Sequence, residues 1–287
     1  MCFDVQSNKV SNVKNLHEFL TLLIEKGLKM SSLVKSRIFT FIALGILLYW
    51  FVIPVVLTHN VVEMGRQGKG DKISNLTIKA WDYFQNGKYV SPNIPEEDAN
   101  NLAKMLEDDM ELNVVSAPIW YVSLEAPNYP KDAFPEGIPV FYHFDGFSGD
   151  VHEMNTINHY IGMDPMERGA PYLRMLAPYA LIFVAWIMAM FLIFNNRLFN
   201  VLMLVPVALP FVFIGFYSYW LYWFGHHMHA WGAFKIKPFT PTVFGDGKVA
   251  QFTTHSYPSI GFWLLVAISI LSILALASKR KYQKMNK

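Results

Sequence analysis

The sequence predicts an α-helical membrane protein with four transmembrane helices and a small α+β extracytoplasmic domain between helices 1 and 2. Four apolar segments are long enough to cross a bilayer, which needs roughly 20 helical residues per crossing. Charged residues make up only 16% of the 287 residues, whereas soluble domains average about a quarter. Lysine and arginine are concentrated at the three flanks that share one side in a four-helix topology.

The boundaries of the parts follow from the apolar segments and the polar stretches between them. The second and third apolar segments are separated only by Asn195–Asn200, so they are predicted to form a helical hairpin. In chain order, the predicted parts are a cytoplasmic N-terminal segment (1–36), helix one (37–58), an acidic extracytoplasmic domain (59–173), helix two (174–194), helix three (201–224), a histidine-rich extracytoplasmic loop (225–261), helix four (262–278) and a basic cytoplasmic tail (279–287).

Charge sets the predicted orientation. Basic residues include Arg37 before helix one, Arg197 in the hairpin and Lys279 at the start of the tail. Because basic flanks stay in the cytoplasm, both termini are predicted to be cytoplasmic. The extracytoplasmic domain holds 18 acidic and 8 basic side chains, a net charge of −10. Such a surface attracts a cationic electron carrier or a metal ion, although ordinary solubility explains it equally well.

Secondary structure in the two extracytoplasmic segments is predicted only coarsely. Pro95 followed by three acids is a favourable helix start, because the acids lie at the positive end of the helix dipole. The predicted elements are helices over 73–86 and 95–110, strands over 117–124 and 137–144, a turn over 145–150, and an ordered loop over 235–258.

Eight of the nine histidines fall on the predicted extracytoplasmic side, and most lie in two short segments. If the first segment is helical, His152, His159 and Met163 form one stripe, with Gly162 and the following Asp-Pro pair ending the helix. In the second segment, His226 and His229 are three residues apart and share a helical face. The alternative is that these histidines are polar caps at the membrane surface.

Imidazole and thioether are ligands that suit copper, so copper is the predicted metal. Cys2 is the only cysteine, which excludes an intramolecular disulfide, a c-type haem attachment motif and an iron–sulfur cluster. We assign a catalytic role to no residue. The predicted metal ligands are His152, His159, Met163, His226 and His229, followed by Met154 and His143, while His255 is a weaker candidate to complete a site.

The four apolar segments contain no histidine and no central charged residue. A b-type cytochrome usually ligates its haem through histidines inside the membrane, so that class is disfavoured. Proton relays and ion pathways need ionisable groups within the bilayer, so they are disfavoured as well. The predicted chemistry therefore lies outside the membrane.

The segments Met154–Met163 and Pro241–Phe252 resemble those of NosB-type membrane accessory proteins from bacterial nitrous oxide reductase gene clusters. The resemblance covers about residues 35–280, and the segment before Met30 departs from it. It implies the bacterial inner membrane as the location. It also implies a role in maturation of, or metal or electron delivery to, an extracytoplasmic copper reductase.

Three hypotheses follow. The first is an accessory protein, not itself an enzyme, that binds copper at its outer face and docks the copper reductase. The second is a copper-dependent membrane redox enzyme or quinol-oxidising subunit. The third is a metal-free scaffold of a respiratory complex. No nucleic acid is expected among the partners, which are the lipid bilayer and an extracytoplasmic copper enzyme or cationic carrier.

Overall fold

The structure is a computed structural model that describes residues 32–56, 116–127, 134, 136–230, 232–233, 235–249 and 251–285. The predicted helices over 73–86 and 95–110, together with His17 and His59, lie outside the described residues. In chain order the described elements are α1 (Ser32–Leu47) with a π-helical continuation (Leu48–Val52), β1 (Trp120–Glu125), β2 (Ile138–Tyr142), β3 (Phe147–Gly149), α2 (Val151–Tyr160), a 3₁₀ helix (Met166–Gly169), α3 (Ala170–Ile193), α4 (Arg197–Leu202), α5 (Leu204–His226), β4 (Gly245–Val249), β5 (Phe252–Pro258) and α6 (Ile260–Met285).

Four helical stretches in the described part of the chain have the length and apolar composition that a membrane crossing requires. They are Ser32–Val56, Met175–Ile193, Arg197–His226 and Ile260–Lys284, with mean hydropathies between 2.3 and 2.6. Each coincides with a predicted apolar segment. The prediction of four such helices is therefore confirmed.

The third of these stretches is divided into α4 and α5 at Met203. Proline has no N–H group, so Pro206 leaves the carbonyl of Leu202 without its helical partner, and the helix is interrupted there. Pro210 and Pro178 lie inside α5 and α3 without ending them. The hairpin predicted between the second and third segments is thus present, with one break near its turn.

Polar side chains of α6 hold one end of α6 against the end of α3, the hairpin turn and α4. The ammonium group of Lys279 donates to the carbonyl oxygens of Phe191 and Phe194, at the C-terminal end of α3. Gln283 bonds the side chain of Asn200, and it also donates to Asn195 in the hairpin turn. Helix C-terminal carbonyls lack partners within their own helix, so these contacts satisfy groups that would otherwise be exposed.

The opposite end of the helices supports a five-stranded antiparallel sheet in the order β3-β2-β1-β5-β4. β1 is central and pairs with β2 on one side and with β5 on the other. The α+β composition predicted for the extracytoplasmic part is confirmed in this mixed form. We call the sheet together with α2 the cap.

The cap differs from the prediction in how the chain builds it. β4 and β5 come from the stretch predicted to be an ordered loop, so the sheet is not confined to the segment between the first two long helices. β3 (Phe147–Gly149) occupies three of the six residues of the predicted turn over 145–150. The glycines and prolines of 235–258 are typical of a loop, which is why the strands were not predicted. Thr253, Thr254 and Tyr257 are nevertheless residue types that favour a sheet.

Trp120 links the cap to the helices. Its side chain is only 2% exposed and lies against rings of α5 and α6, with centroids 5.4 Å from Tyr217 and 5.3 Å from Phe262. Its indole N–H donates to the hydroxyl of Ser256 on β5 at 2.8 Å. This packing and this hydrogen bond join the central strand, its neighbour and two long helices in one core.

Candidate functional site

α2 gives the first histidine segment the helical conformation that the predicted stripe requires, but the helix ends at Tyr160, before Met163. Gly162 has φ +81°, and the N–H groups of Gly162 and Met163 donate to the carbonyls of His159 (3.0 Å) and Asn158 (2.8 Å). This pair of bonds is a Schellman motif, which ends a helix at a glycine in the left-handed conformation. Met163 therefore does not share the helical stripe predicted for it with His159. His152 lies in α2, and its side chain is outside what the structure describes.

The two histidine segments meet just after this helix end. The N–H of His229 donates to the carbonyl of Gly162 at 2.7 Å. A Cβ atom at Gly162 would lie 2.5 Å from the carbonyl oxygen of His229, so only glycine fits this approach. The two histidine segments are therefore in backbone contact at these two residues.

Asp164 is the buried anion of this contact and is only 2% exposed. One carboxylate oxygen accepts a hydrogen bond from Arg168, and the other lies 2.9 Å from Nε2 of His229. The Arg168 guanidinium also lies 4.9 Å from the ring centroid of Trp223, in cation–π geometry. The carboxylate therefore fixes the imidazole of His229 against α5 and the 3₁₀ helix.

His226 and His227 are exposed and lie at the C-terminal end of α5, where His226 is the last helical residue. Their Nδ1 atoms bond the carbonyls of Tyr222 (2.8 Å) and Trp223 (2.9 Å), four residues earlier. Each ring stacks on the aromatic ring of that same residue. Because α5 ends at His226, the helical face predicted for His226 and His229 does not extend to His229.

His143 lies after β2 and is buried. Its Nδ1 is 2.8 Å from the carbonyl of Ser116, and its Nε2 is 2.7 Å from the hydroxyl of Ser148. Burial lowers the pKa of this imidazole, although the bond to Ser116 and the charge of Asp145 act in the opposite direction. In this arrangement both ring nitrogens serve internal hydrogen bonds, so neither is presented to a metal.

Met154 and Met163 have buried side chains in the apolar cluster between the sheet and α2. Both line a cavity of about 90 Å³ that also touches Asn158 of α2 and Leu221 of α5. Thioethers in such a position are available to an occupant of the cavity rather than to a metal at the protein surface.

A polar cluster at the sheet surface was not predicted. His255 of β5 bonds Asp246 of β4 through Nδ1 at 2.6 Å, and Tyr257 donates to the same carboxylate at 2.8 Å. Nε2 of His255 lies 3.5 Å from Glu125 of β1. The hydrogen bond to Asp246 is the main reason that the pKa of His255 is raised. The sequence carries no signal for this cluster, because strand pairing brings its members together.

The predicted metal ligands are thus distributed over several surroundings. Within the residues that the structure describes, no three or more His, Cys, Asp or Glu side chains come together as a metal-holding group. The arrangement that retains a feature of metal sites is the imidazole of His229 oriented by a carboxylate. Histidines that bind metals almost always bond such a group through their other ring nitrogen.

His159 is expected to stay neutral far below the usual pH of imidazole titration. Burial lowers its pKa from 6.5 to about 4. Protonation therefore favours the unfolded state: the contribution to stability is complete above pH 6.5 and is lost as the pH falls towards about 4. The full loss is about 3 kcal/mol, at 1.36 kcal/mol for each pKa unit.

Ring-proton NMR of the metal-free protein tests this expectation. The signal of His159 should titrate near pH 4, and that of His255 should titrate above 6.5, which makes it an internal reference. Assignment by single His→Gln variants separates the two signals. Titration of His159 between pH 6 and 7 would contradict the burial on which the expectation rests.

Comparison of the chain with protein-family models, with curated proteins and with solved structures gave no match.

Proposed function

We propose that the protein is a membrane-anchored accessory protein of an extracytoplasmic copper reductase such as nitrous oxide reductase. In this proposal its four long helices cross the bacterial inner membrane, and the cap lies outside. The distribution of charge supports this orientation. Lys279 and the hairpin turn lie together at the helix ends opposite the cap, and basic ends remain in the cytoplasm.

The proposed role includes copper binding at the outer face, through His229 with His159. The contact of Asp164 with His229 is the observation that supports it best, because it orients an imidazole where the two histidine segments meet. The lowered pKa of His159 adds support, since a ligand must be deprotonated and this imidazole is neutral at physiological pH. Bound copper would serve as a store for the reductase or as a centre for electron delivery to it.

The partner is proposed from the resemblance of Met154–Met163 and Pro241–Phe252 to NosB-type proteins, together with the acidity of residues 59–173. An excess of acidic side chains accelerates the encounter with a cationic partner at low ionic strength. Maturation of the reductase and delivery of copper or electrons to it are both consistent with this surface.

Copper binding is tested on the full chain in detergent, after metal removal and addition of Cu(II) at about pH 7.5. We expect about one equivalent to be retained by the wild type. His229→Ala should lose most of it, and Asp164→Asn should weaken binding roughly 10- to 100-fold, as removal of a carboxylate behind a ligating histidine does. The matched control is His227→Ala, which removes an exposed histidine stacked on Trp223.

Retention of less than about a tenth of an equivalent by the wild type would contradict a metal role. So would equal retention by the wild type and by His229→Ala. In cells, the same variants are compared for nitrous oxide consumption and for the copper content of the reductase. Loss of both with His229→Ala, but not with His227→Ala, is the expected result.

A metal-free scaffold of a respiratory complex is the second candidate. The internal hydrogen bonds of both nitrogens of His143 and the apolar packing of Met154 favour it, because these residues have structural roles without a metal. A scaffold predicts co-purification with the reductase that persists in His229→Ala and in copper-free medium. The accessory copper protein predicts that the copper content of the reductase falls in that variant.

A further inference from the structure

The cavity between the sheet and α2 has apolar walls on nearly every side. Its volume is about 90 Å³, and it is partly open at the surface. Aliphatic side chains, three methionines and five aromatic rings make up most of its lining, and none of the described residues that line it is charged. Close-packed interiors leave few voids larger than a water molecule. Because a charge is costly in such surroundings, the occupant that fits is an uncharged and mainly apolar molecule.

One polar side chain of α2, that of Asn158, interrupts the apolar wall. It shares a helix face with three apolar residues that line the cavity, which are Met154, Ile157 and Ile161. Asn158 is only 9% exposed, and its side-chain amide has no hydrogen-bond partner within the part of the chain that the structure describes. Buried amides are nearly always hydrogen-bonded, because an unpaired one is costly. The amide therefore offers its hydrogen bonds to an occupant of the cavity.

The amide of Asn158 suits an oxygen on an apolar molecule better than it suits water. Thr254 also lines the cavity, but its hydroxyl already bonds Thr242 and the carbonyl of Gly247. A buried water molecule needs roughly two to four polar partners, so one amide in an apolar wall holds it poorly. A hydroxyl or carbonyl group satisfies the amide while the rest of the ligand contacts the apolar lining.

The walls favour a flat ring over a saturated chain. Aromatic rings attract one another beyond the effect of burial, and methionine sulfur makes favourable contacts with aromatic rings. Met154, Met163 and Met166 also have flexible side chains that readjust around a ligand. A closed apolar cavity of about 150 Å³ binds benzene. A partly open cavity of about 90 Å³ with adaptable walls therefore accommodates one six-membered ring. The aromatic lining residues are Tyr142, Phe147, Phe224, Phe239 and Phe252.

We propose that this cavity binds the ring of a lipid-soluble quinone or quinol, with one ring oxygen hydrogen-bonded to the side-chain amide of Asn158. Leu221 and Phe224 place the cavity beside the last turns of a helical stretch that is long and apolar enough to cross a membrane. The route of the ligand from the bilayer rests on the membrane location in the proposed function. Binding of the ring itself is independent of copper and of His229.

The test is NMR of the full-length protein in lipid nanodiscs, with methionine labelled at its methyl carbon. A quinone with one isoprenoid unit should shift the signals of Met154, Met163 and Met166, because ring currents act on methyl groups that touch the ring. Met188 is a buried methionine of α3 that does not line the cavity, so its signal is the internal control and should not shift. Single methionine-to-leucine variants assign the signals.

Two further ligands distinguish the possible sources of the occupant. Phenol represents a water-soluble ring, and methyl decanoate represents an acyl chain with a carbonyl group. All affinities are compared at equal concentration in the lipid phase. Tighter binding of phenol than of the quinone would overturn the assignment to a membrane quinone, and tighter binding of methyl decanoate would overturn the selection of a ring.

The role of Asn158 is tested with phenol and toluene, which have nearly the same shape but differ in the oxygen. The ratio of the Kd of toluene to that of phenol should fall about tenfold from the wild type to Asn158→Leu, because one hydrogen bond is lost. Partition into lipid cancels in this comparison. An unchanged ratio would overturn the proposal, and so would the absence of shifts at the three methionines in the wild type. The wild-type spectra decide the outcome even if the variant does not fold, and failure of the copper assay leaves it unaffected.

Discussion

Trp120→Ala is expected to reduce the free energy of opening of the cap sheet by about 3–5 kcal/mol. The indole is 2% exposed and contacts rings of α5 and α6, so its removal leaves a large cavity where the sheet meets the helices. The hydroxyl of Ser256 also loses a donor, although Tyr217 and the carbonyl of Val243 remain within reach of it. Amide hydrogen exchange in β1 and β5 measures the loss.

Two further variants separate packing from hydrogen bonding at this position. Trp120→Phe retains most of the aromatic contact and removes the N–H, so a loss of about 1–2 kcal/mol is expected. Tyr121→Ala changes the next residue of the same strand, which is only partly buried, and serves as the control. Exchange in β5 that is as fast in Tyr121→Ala as in Trp120→Ala would argue against Trp120 as the link between cap and helices.

Gly162→Ala is expected to cost about 3 kcal/mol and to separate the two histidine segments. The left-handed backbone at φ +81° costs a residue with a side chain about 1–2 kcal/mol of free energy relative to glycine. The added Cβ would lie 2.5 Å from the carbonyl oxygen of His229, a backbone atom that cannot turn away as a side chain can. Relief of this contact breaks the 2.7 Å bond between the N–H of His229 and Gly162.

The measurement is hydrogen exchange of the amides of residues 158–164 and 227–230, which should become fast in the variant. Gly215→Ala is the matched control, because a Cβ there meets no atom within 4 Å and the residue lies inside α5. That change should be neutral or should stabilise the helix by up to about 1 kcal/mol. Unchanged protection of His229 in Gly162→Ala would show that the segments are held together by other contacts.

The helices could be predicted because their signal is local. Twenty or so apolar residues identify a long helix without knowledge of its neighbours, and all four were identified in this way. β1 and β2 were also recognisable, since their residues favour strands by themselves. β4 and β5 were not, because a glycine-rich segment becomes a strand only when a partner from a distant part of the sequence lies beside it.

The candidate site shows the same division between local and distant information. That both histidine segments lie at the same end of the long helices was predictable, since the order of the apolar segments and their basic flanks places both on one side. The position of Met163 was not predicted correctly, although Gly162 marks the end of the helix one residue earlier. The roles of Asp164 and Arg168 depend on a contact with His229, 65 residues from Asp164. No sequence pattern predicts a contact between residues so far apart in the chain.

The pairing of β1 with β5 joins two strands that the ribosome makes at different times. Glu125 lies opposite Thr253, so the central strand of the sheet is completed only after α2 to α5 have emerged between them. At about 5–20 residues per second, the ribosome needs roughly 6–25 s to make that stretch. During this interval one edge of β1 has no neighbour, and an unpaired edge invites pairing with other chains. During synthesis, the nascent chain therefore aggregates unless that edge of β1 is protected until β5 has been made.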